Sequence, residues 1–290
     1  MKILNTDQFI SERIKIQPVT NVELDKFKKY RYFPQTTSEL KNIIEERIEK
    51  EGPECDLNDI YTANIADMSW LFHYMKTFNG NISNWDVSNV TDMSHMFDSA
   101  ESFNCNISGW NVSNVTNMSY MFCDADAFNQ PIGEWNVSSV KDMKAMFSCA
   151  KSFNQPIGNW NVSSVTNMQE MFCNALSFNE DISGWNVSNV TNMKGMFQDT
   201  YDFDQPIGKW GEKTSKVTDM SKMFFRTQSF NRPISDWNIS SARDMSDMFG
   251  HAQNFLQDLS QWDIANVAYT QSMFIFSPMA TQKHLQPKNS

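Results

Sequence analysis

The sequence lacks the residue patterns that carry most enzyme chemistry. It contains no Gly-x-Ser-x-Gly elbow, no phosphate-binding loop ending in Gly-Lys-Ser/Thr and no His-Glu-x-x-His pair. Its four histidines are dispersed, and its five cysteines form no Cys-x-x-Cys pair. These absences predict a protein that is not an enzyme and that holds neither a metal ion nor another cofactor.

Basic charge and long apolar runs are scarce as well. The 290 residues carry a formal net charge of −10, and only the segment 26–31 clusters basic residues. An acidic surface disfavours nucleic acid and anionic membranes, so we expect neither as a partner. No apolar run reaches membrane-span length, and none near the start resembles a secretory signal, which excludes membrane insertion and favours an intracellular or phage-borne protein.

What the sequence has in abundance is repetition. A tryptophan recurs every 25 residues from Trp85 to Trp262, except for one step of 27 residues after Trp210. Because the phenylalanine that precedes each tryptophan keeps the same register, the two extra residues lie in the segment 211–216. A fixed period of this length predicts a repeat protein in which each unit contacts its neighbours.

One repeat, residues 103–123, contains two hydrophobic periods. Around Trp110 and Val112 apolar and polar residues alternate, which is typical of a short, half-buried strand. Three apolar residues follow Val115 at offsets of three, six and seven positions, which places all four on one face of a short helix: Val115, Met118, Met121 and Phe122. We therefore expect an α/β repeat solenoid, a right-handed coil with one short parallel strand and one short helix per 25-residue repeat.

The array needs a cap, because a terminal repeat leaves one face uncovered. Thr36 and Glu39 form a Thr-x-x-Glu capping box and Gly52 suits a helix C-terminus, so the sequence predicts a helix over 37–51. Weaker helical patterns cover 6–16 and 21–30.

These patterns divide the chain into three parts. Residues 1–55 are predicted to form a helical N-terminal segment and cap, and residues 56–276 the tandem repeats. Residues 277–290 are polar, and we expect a frayed C-terminal tail there.

Residues that recur in every repeat are predicted to hold the repeats together. The tryptophans and methionines should form buried columns. A column of asparagines should hydrogen-bond the backbone of the neighbouring turn: Asn79, Asn104, Asn129, Asn154 and Asn179.

Candidate binding residues lie at outward positions. The residue after each tryptophan is Asn or Asp in most repeats, whereas the residue before it varies. Variation on a rigid lattice is typical of a recognition surface, and an unconstrained surface shows the same pattern. Two aromatic residues on the predicted helix side are further candidate contacts. The candidate set is Asn84, Asp86, Asn111, Glu134, Asn136, Asn161, Asn186, Lys209, Asp236, Asn238, Asp263, Tyr201 and Phe225.

The recurring string Phe-Asn-Gln-Pro-Ile-Gly-x-Trp-Asn-Val-Ser-x-Val-x-x-Met-x-x-Met-Phe, found at 128–147 and 153–172, resembles the BspA-like repeat of bacterial surface proteins. That family is grouped with the leucine-rich repeats. The resemblance covers roughly residues 56–274. It implies a leucine-rich-repeat-like solenoid with a role in adhesion or protein recognition, and by family analogy it adds the cell surface as a second location.

Two functions remain open at this point. The first is a non-enzymatic recognition or adhesion scaffold that binds a protein or a glycan through its repeat faces. The alternative is a structural or assembly component of a phage particle or a surface layer, which would self-associate through the faces or ends of the array.

Overall fold

The structure is a computed structural model that describes residues 7–9, 11–12 and 25–288. Within these residues the elements are one long α-helix, α1 (Thr37–Glu51), and two 3-10 helices, Ile207–Thr214 and Pro278–Thr281. Residues 7–9 and 11–12 are helical too. Of the weaker helices predicted over 6–16 and 21–30, residues 6, 10, 13–16 and 21–24 lie outside the described residues, and residues 26–29 form turns.

The repeats stack with a register of one repeat length. Each contributes one residue to a column of isolated parallel bridges, in which every residue pairs with its equivalents in the adjacent repeats. The column consists of Asp67, Asp92, Asn117, Asp142, Asn167, Asn192, Asp219, Asp244 and Tyr269.

The predicted strand in each repeat is wrong. No described residue belongs to a strand longer than a single bridge. Where alternation indicated a strand, the chain makes two tight turns, closed by hydrogen bonds from the N–H groups of Trp110 and Val115 to the carbonyls three residues earlier. The side-chain oxygen of Asn111 accepts a hydrogen bond from the N–H of Ser113 at 3.2 Å and shapes the second turn.

The predicted helix in each repeat is also wrong. Tyr120 and Asp124 have φ values of 58° and 53°, in the left-handed region that a right-handed helix excludes. In place of helical hydrogen bonds, alternate N–H groups point at the next repeat: Met118 and Phe122, for example, donate to the carbonyls of Asp142 and Met146. The α/β solenoid of leucine-rich-repeat type is therefore contradicted, because each repeat is a chain of tight turns.

The core consists of side-chain columns that run through the stack. The rings of Phe122 and Phe128, six residues apart in the chain, stack with centroids 3.9 Å apart, and Phe122 lies 5.7 Å from its equivalent Phe147 in the next repeat. Trp110 and Trp135 are each 4% exposed. The predicted burial of the tryptophan and methionine columns is confirmed.

Polar groups of the core are satisfied between repeats. The indole N–H of Trp110 donates to the carbonyl of Ile82 at 3.3 Å, and the other repeats make the equivalent bond. The asparagine column works as predicted: the side-chain oxygen of Asn79 accepts from the N–H of Asn104 at 2.8 Å. These bonds tie every repeat to its neighbour and fix the register of the stack.

Helix α1 caps the N-terminal end, as predicted. The Thr36 side chain accepts from the N–H of Glu39, and the N–H of Gly52 donates to the Ile48 carbonyl at the other end of the helix. The apolar face of α1 joins the core of the repeats through buried Leu40 and Ile44.

Two irregular segments interrupt the repeat pattern. The two extra residues fall in the 3-10 helix Ile207–Thr214, where Gly211 takes φ 44° and ψ −123° and bends the chain. The expected frayed tail is wrong over 277–288, because Met279 is fully buried and the N–H of Leu259 donates to the Leu285 carbonyl at 2.8 Å. Residues 289–290 lie outside the described residues.

Candidate functional site

The predicted column of Asn and Asp residues next to the tryptophans lies on the surface. Each side-chain oxygen is bound locally, as where the hydroxyl of Ser113 donates to Asn111 Oδ1 at 2.7 Å. The amide nitrogens of Asn111 and Asn136 have no partner among residues 25–288 and point to solvent. Exposed members are Asp86, Asn111, Asn136, Asn161, Asn186 and Asp263, while Asn238 is half-buried.

The variable positions before the tryptophans are exposed as well: Asn84, Glu134, Lys209 and Asp236. Lys209 Nζ lies 3.3 Å from the hydroxyl of Ser183 and would donate to it. These side chains and the Asn/Asp column present a polar ridge with few apolar groups. Whether this ridge binds anything stays a prediction.

Tyr201 and Phe225 lie on another face, formed by the tight turns that replace the predicted helices. We call it the turn face. Tyr201 is 37% exposed and lines a shallow cavity of about 150 Å³ with Arg226 and His251. Phe225 is half-buried, with the Arg226 guanidinium 5.1 Å from its ring centroid. The structure therefore brings these two candidates near each other and away from the Asn/Asp column.

A group of rings outside the candidate set of the sequence analysis lies at the N-terminal end of the turn face. We call it the aromatic cluster; it consists of Trp70, His73, Tyr74, His95 and Tyr120. The His95 ring stacks on Trp70 with centroids 3.7 Å apart and on Tyr120 at 4.5 Å. Trp70 is 44% exposed and Tyr74 66%, so the cluster is an aromatic surface that solvent reaches.

Backbone conformation explains why these rings point outward. Trp70, Tyr74, His95 and Tyr120 all have positive φ values between 55° and 61°. On the turn face, left-handed residues alternate with residues whose side chains enter the core, so the left-handed positions are directed away from it. A recognisable signal existed: the position two residues after the first methionine is aromatic in three consecutive repeats and in none of the later ones.

One carboxylate joins two repeats beneath the cluster. Asp98 Oδ2 lies 2.8 Å from His95 Nδ1 and 3.5 Å from His73 Nδ1, and Asp98 Oδ1 accepts from the Ser99 hydroxyl at 2.9 Å. Burial lowers the pKa of His73, against the opposing effect of the Asp98 charge. The Asp98 carboxylate also fixes the His95 ring that supports the stack.

The Asp98 carboxylate is also one of three potential metal ligands that lie together. Donor atoms of Asp98, Cys123 and Asp124 lie within 4.8 Å of one another. Burial first, and then the two carboxylates, raise the pKa of the Cys123 thiol well above its ordinary range. The protonated thiol lies 3.4 Å from Asp124 Oδ2 and donates to it, so the group is hydrogen-bonded as it stands.

A family model described as "Mycoplasma protein of unknown function, DUF285" matches residues 38–153, 128–213 and 211–284. The chain belongs to this family. The three matches cover most of the array, and the DUF285 assignment confirms that the chain is a repeat protein. No curated protein and no solved structure matches the chain.

The DUF285 match includes the aromatic cluster, which lies within its first segment. It also includes α1, apart from the first residue of that helix. Among the described residues, no helix is long and apolar enough to cross a bilayer.

Proposed function

We propose that this DUF285 chain is a non-enzymatic recognition scaffold of the BspA-like type, with a role in adhesion, and that it binds another protein through the aromatic cluster. The observation that carries the proposal is the exposure of Trp70 and Tyr74 beside rings that are already stacked. Trp and Tyr dominate the binding energy of protein interfaces, and side chains that are ordered before binding lose little entropy when a partner arrives.

The surroundings of the cluster support recognition. His95 is held between Trp70 and Tyr120 and anchored by Asp98, so its side chain is fixed before any partner binds. The Lys144 ammonium lies 5.4 Å from the Tyr120 ring centroid and extends the surface with a cation. A mixed aromatic and charged patch on a rigid backbone is the composition of an interface centre with a polar rim.

A protein array and a glycan array, both probed with the labelled full chain, test the proposal. A ligand that uses the cluster should bind a Trp70→Ala, Tyr74→Ala double variant at least tenfold more weakly, or about 1.4 kcal/mol. Tyr201→Ala is the matched control, because Tyr201 is also an exposed aromatic of the turn face but lies in a distant repeat. The proposal fails if every ligand found binds the double variant and the control equally, or if only glycans bind.

The assembly alternative has less support. Copies that stack end to end would bring the N-terminal end of one chain against the C-terminal end of another, and α1 covers the N-terminal end. Such stacking would have to displace buried Leu40 and Ile44. Light scattering of the full chain over a range of concentrations separates the two functions, because assembly requires the average molar mass to rise with concentration.

A further inference from the structure

The backbone of the turn face forms a ladder with a direction. In each repeat before the last, four alternate N–H groups donate to carbonyls of the following repeat. The N–H that precedes this series, that of Ala268 in the last repeat for example, donates back to the preceding repeat. In the penultimate repeat the donors are Met245, Asp247, Phe249 and His251, with donor–acceptor distances of 2.8, 2.9, 2.8 and 2.7 Å. The carbonyl edge of this ladder therefore faces the N-terminal end of the stack, and the N–H edge faces the C-terminal end.

The last repeat carries the same four donors without acceptors. We call them the open N–H row; its members are Thr270, Ser272, Phe274 and Phe276. Among the described residues no oxygen accepts from any of the four. Nor does any described donor reach the carbonyl of Ala268, although the equivalent carbonyl of Arg243 accepts from the Ala268 N–H at 2.9 Å.

The C-terminal segment covers only the other side of the last repeat. Lys288 forms a parallel bridge with Asp263, and the N–H of Leu259 donates to the Leu285 carbonyl. A cavity of about 290 Å³ is left between this segment and the open N–H row. Lys283 lines it, and the three large apolar side chains exposed beside the row are Tyr269, Ile275 and Phe276.

We infer that the C-terminal end of the stack is a docking site for a polypeptide segment that adds one more rung to the ladder. Carbonyls of that segment would accept from the open N–H row, and one of its N–H groups would donate to the Ala268 carbonyl. Addition of backbone to an unpaired edge is an established mode of peptide recognition, in which main-chain hydrogen bonds give affinity and side-chain pockets give specificity.

The hydrogen-bond direction of the open N–H row favours a separate polypeptide segment over a second copy of the chain. Two C-terminal ends that meet would set N–H groups against N–H groups. At the N-terminal end the Thr37 hydroxyl already donates to the carbonyl of Asp67 at 2.6 Å, and Lys41 Nζ lies 3.4 Å from the carbonyl of Trp70. A partner must therefore bring its own row of carbonyls.

Side chains define the partner further. In the stack each phenylalanine of this position covers the one before it, as Phe274 covers Phe249 with centroids 5.7 Å apart. Beside Phe274, Ile275 and Phe276 are 38% and 72% exposed, which favours apolar side chains in the partner. Lys283 makes no ion pair among residues 25–288, which favours an acidic residue nearby. A Met-Phe segment with acidic neighbours fits. In the penultimate repeat the four equivalent donors each reach a different backbone carbonyl, which favours a polypeptide over one small anion.

A synthetic peptide with the sequence of residues 242–255 of this chain is the probe, because it has the Met-Phe pattern, two aspartates and no cysteine. Added to the isotope-labelled full chain, it should bind saturably and shift the amide resonances of the open N–H row. Hydrogen exchange of those four amides should slow at least about tenfold. A scrambled peptide and inorganic phosphate are the parallel arms.

Phe276→Asn should weaken peptide binding at least about fivefold, since the exposed ring is lost while Asn tolerates the positive φ of 54°. Tyr74→Asn removes an aromatic ring at the equivalent position of the first repeat and should leave peptide binding unchanged. The inference is overturned if the peptide shifts no amide of the row, if phosphate reproduces the shifts, or if self-association already protects the row. The aromatic-cluster double variant should still bind the peptide, so the two proposals fail independently.

Discussion

The two ends of the stack differ in what covers them. At the N-terminal end α1 lies over the carbonyl edge of the ladder, and its Thr37 hydroxyl donates to the Asp67 carbonyl of that edge. At the C-terminal end the N–H edge faces solvent, with Ile275 and Phe276 exposed beside it. Because the four alternate hydrogen bonds of each repeat run toward the C-terminal end, the two ends of the ladder need chemically different caps. A helix that presents a hydroxyl donor suits only the carbonyl edge.

The N-terminal end of the stack also buries more apolar surface than the C-terminal end. The face of α1 that meets the first repeat consists of fully or almost fully buried aliphatic residues, Leu40, Ile43 and Ile44. Each fully buried aliphatic side chain contributes roughly 1.5 to 3 kcal/mol to stability. The buried face of α1 therefore stabilises the N-terminal end of the stack far more than the exposed apolar side chains stabilise the C-terminal end. We expect local opening to begin at the C-terminal end.

The largest expected effect is the loss of one aliphatic side chain at each end. Ile44→Ala should cost about 2 to 5 kcal/mol of unfolding free energy, because Ile44 is fully buried and truncation leaves a cavity. Ile275→Ala, the matched variant at the other end, should cost less than about 1 kcal/mol, since Ile275 is 38% exposed. Urea unfolding followed by tryptophan fluorescence measures both. Equal losses would show that the two ends are held alike.

Hydrogen exchange compares the same ladder position in two repeats. Amides of Met245 and Phe249 donate to the next repeat, whereas those of Thr270 and Phe274 have no acceptor within the described chain. The open amides should exchange about 100-fold faster or more. Mass spectrometry with residue resolution, or NMR of the free chain, gives the ratio. Similar protection at both positions would mean that the C-terminal edge is already covered.

Much of the architecture could be predicted from the sequence. The period identified which residues are equivalent, and equivalence alone placed Trp110 and Met118 in buried columns and the two extra residues near Gly211. Helix α1 was predicted from its capping box, because Thr36 and Glu39 act locally and need no knowledge of the rest of the fold.

The secondary structure of the repeats could not be predicted in this way. Apolar residues three and four positions apart fit a helix and also fit a chain of tight turns. The choice depends on the sign of φ at residues such as Tyr120 and Cys149, whose side chains do not ordinarily favour the left-handed region. Hydrogen bonds between repeats stabilise that conformation, and they exist only once the repeats stack.

The candidate site was predicted only in part. Exposure of the Asn/Asp column followed from the period, but the aromatic cluster as a unit did not, because Trp70 belongs to a first repeat that lacks the usual tryptophan. Aligning His95 and Tyr120 with Trp70 by repeat position would have indicated a ring stack. Their outward direction depends on left-handed backbone that the sequence does not reveal.

A smaller effect tests how α1 meets the carbonyl edge. Thr37→Val keeps the shape of the side chain and removes the hydroxyl that donates to the Asp67 carbonyl, so it should cost about 1 kcal/mol. Ser38→Ala, one residue along the helix, should change stability by less than about 0.5 kcal/mol because its side chain is exposed and has no partner among the described residues. Urea unfolding distinguishes the two. A Thr37 variant as stable as the Ser38 control would mean that the hydroxyl adds nothing at this edge.

The smallest effect is a dependence of the N-terminal cap on pH. Arg47 lies at the end of α1 with its Nε 2.6 Å from Glu51 Oε1 and its Nη1 2.8 Å from Asp59 Oδ1. The hydrogen bond from Arg47 lowers the pKa of Glu51 below its ordinary value of 4.5. A carboxyl whose pKa is lower in the folded chain stabilises the fold above pH 4.5, and that contribution is lost as the pH falls through the folded-state pKa.

Glu51→Gln should therefore be less stable than the wild type at pH 7, and the gap should close as the solution is acidified below pH 4.5. Glu45→Gln, on the same helix but without an ion pair among the described residues, should lower stability less at pH 7. Urea midpoints measured from pH 7 downward give both curves. Because Glu51 is half-exposed, added salt should also reduce the stability difference between the wild type and Glu51→Gln. A difference that persists in strong acid would mean that Gln disturbs the packing of α1 by some route other than charge.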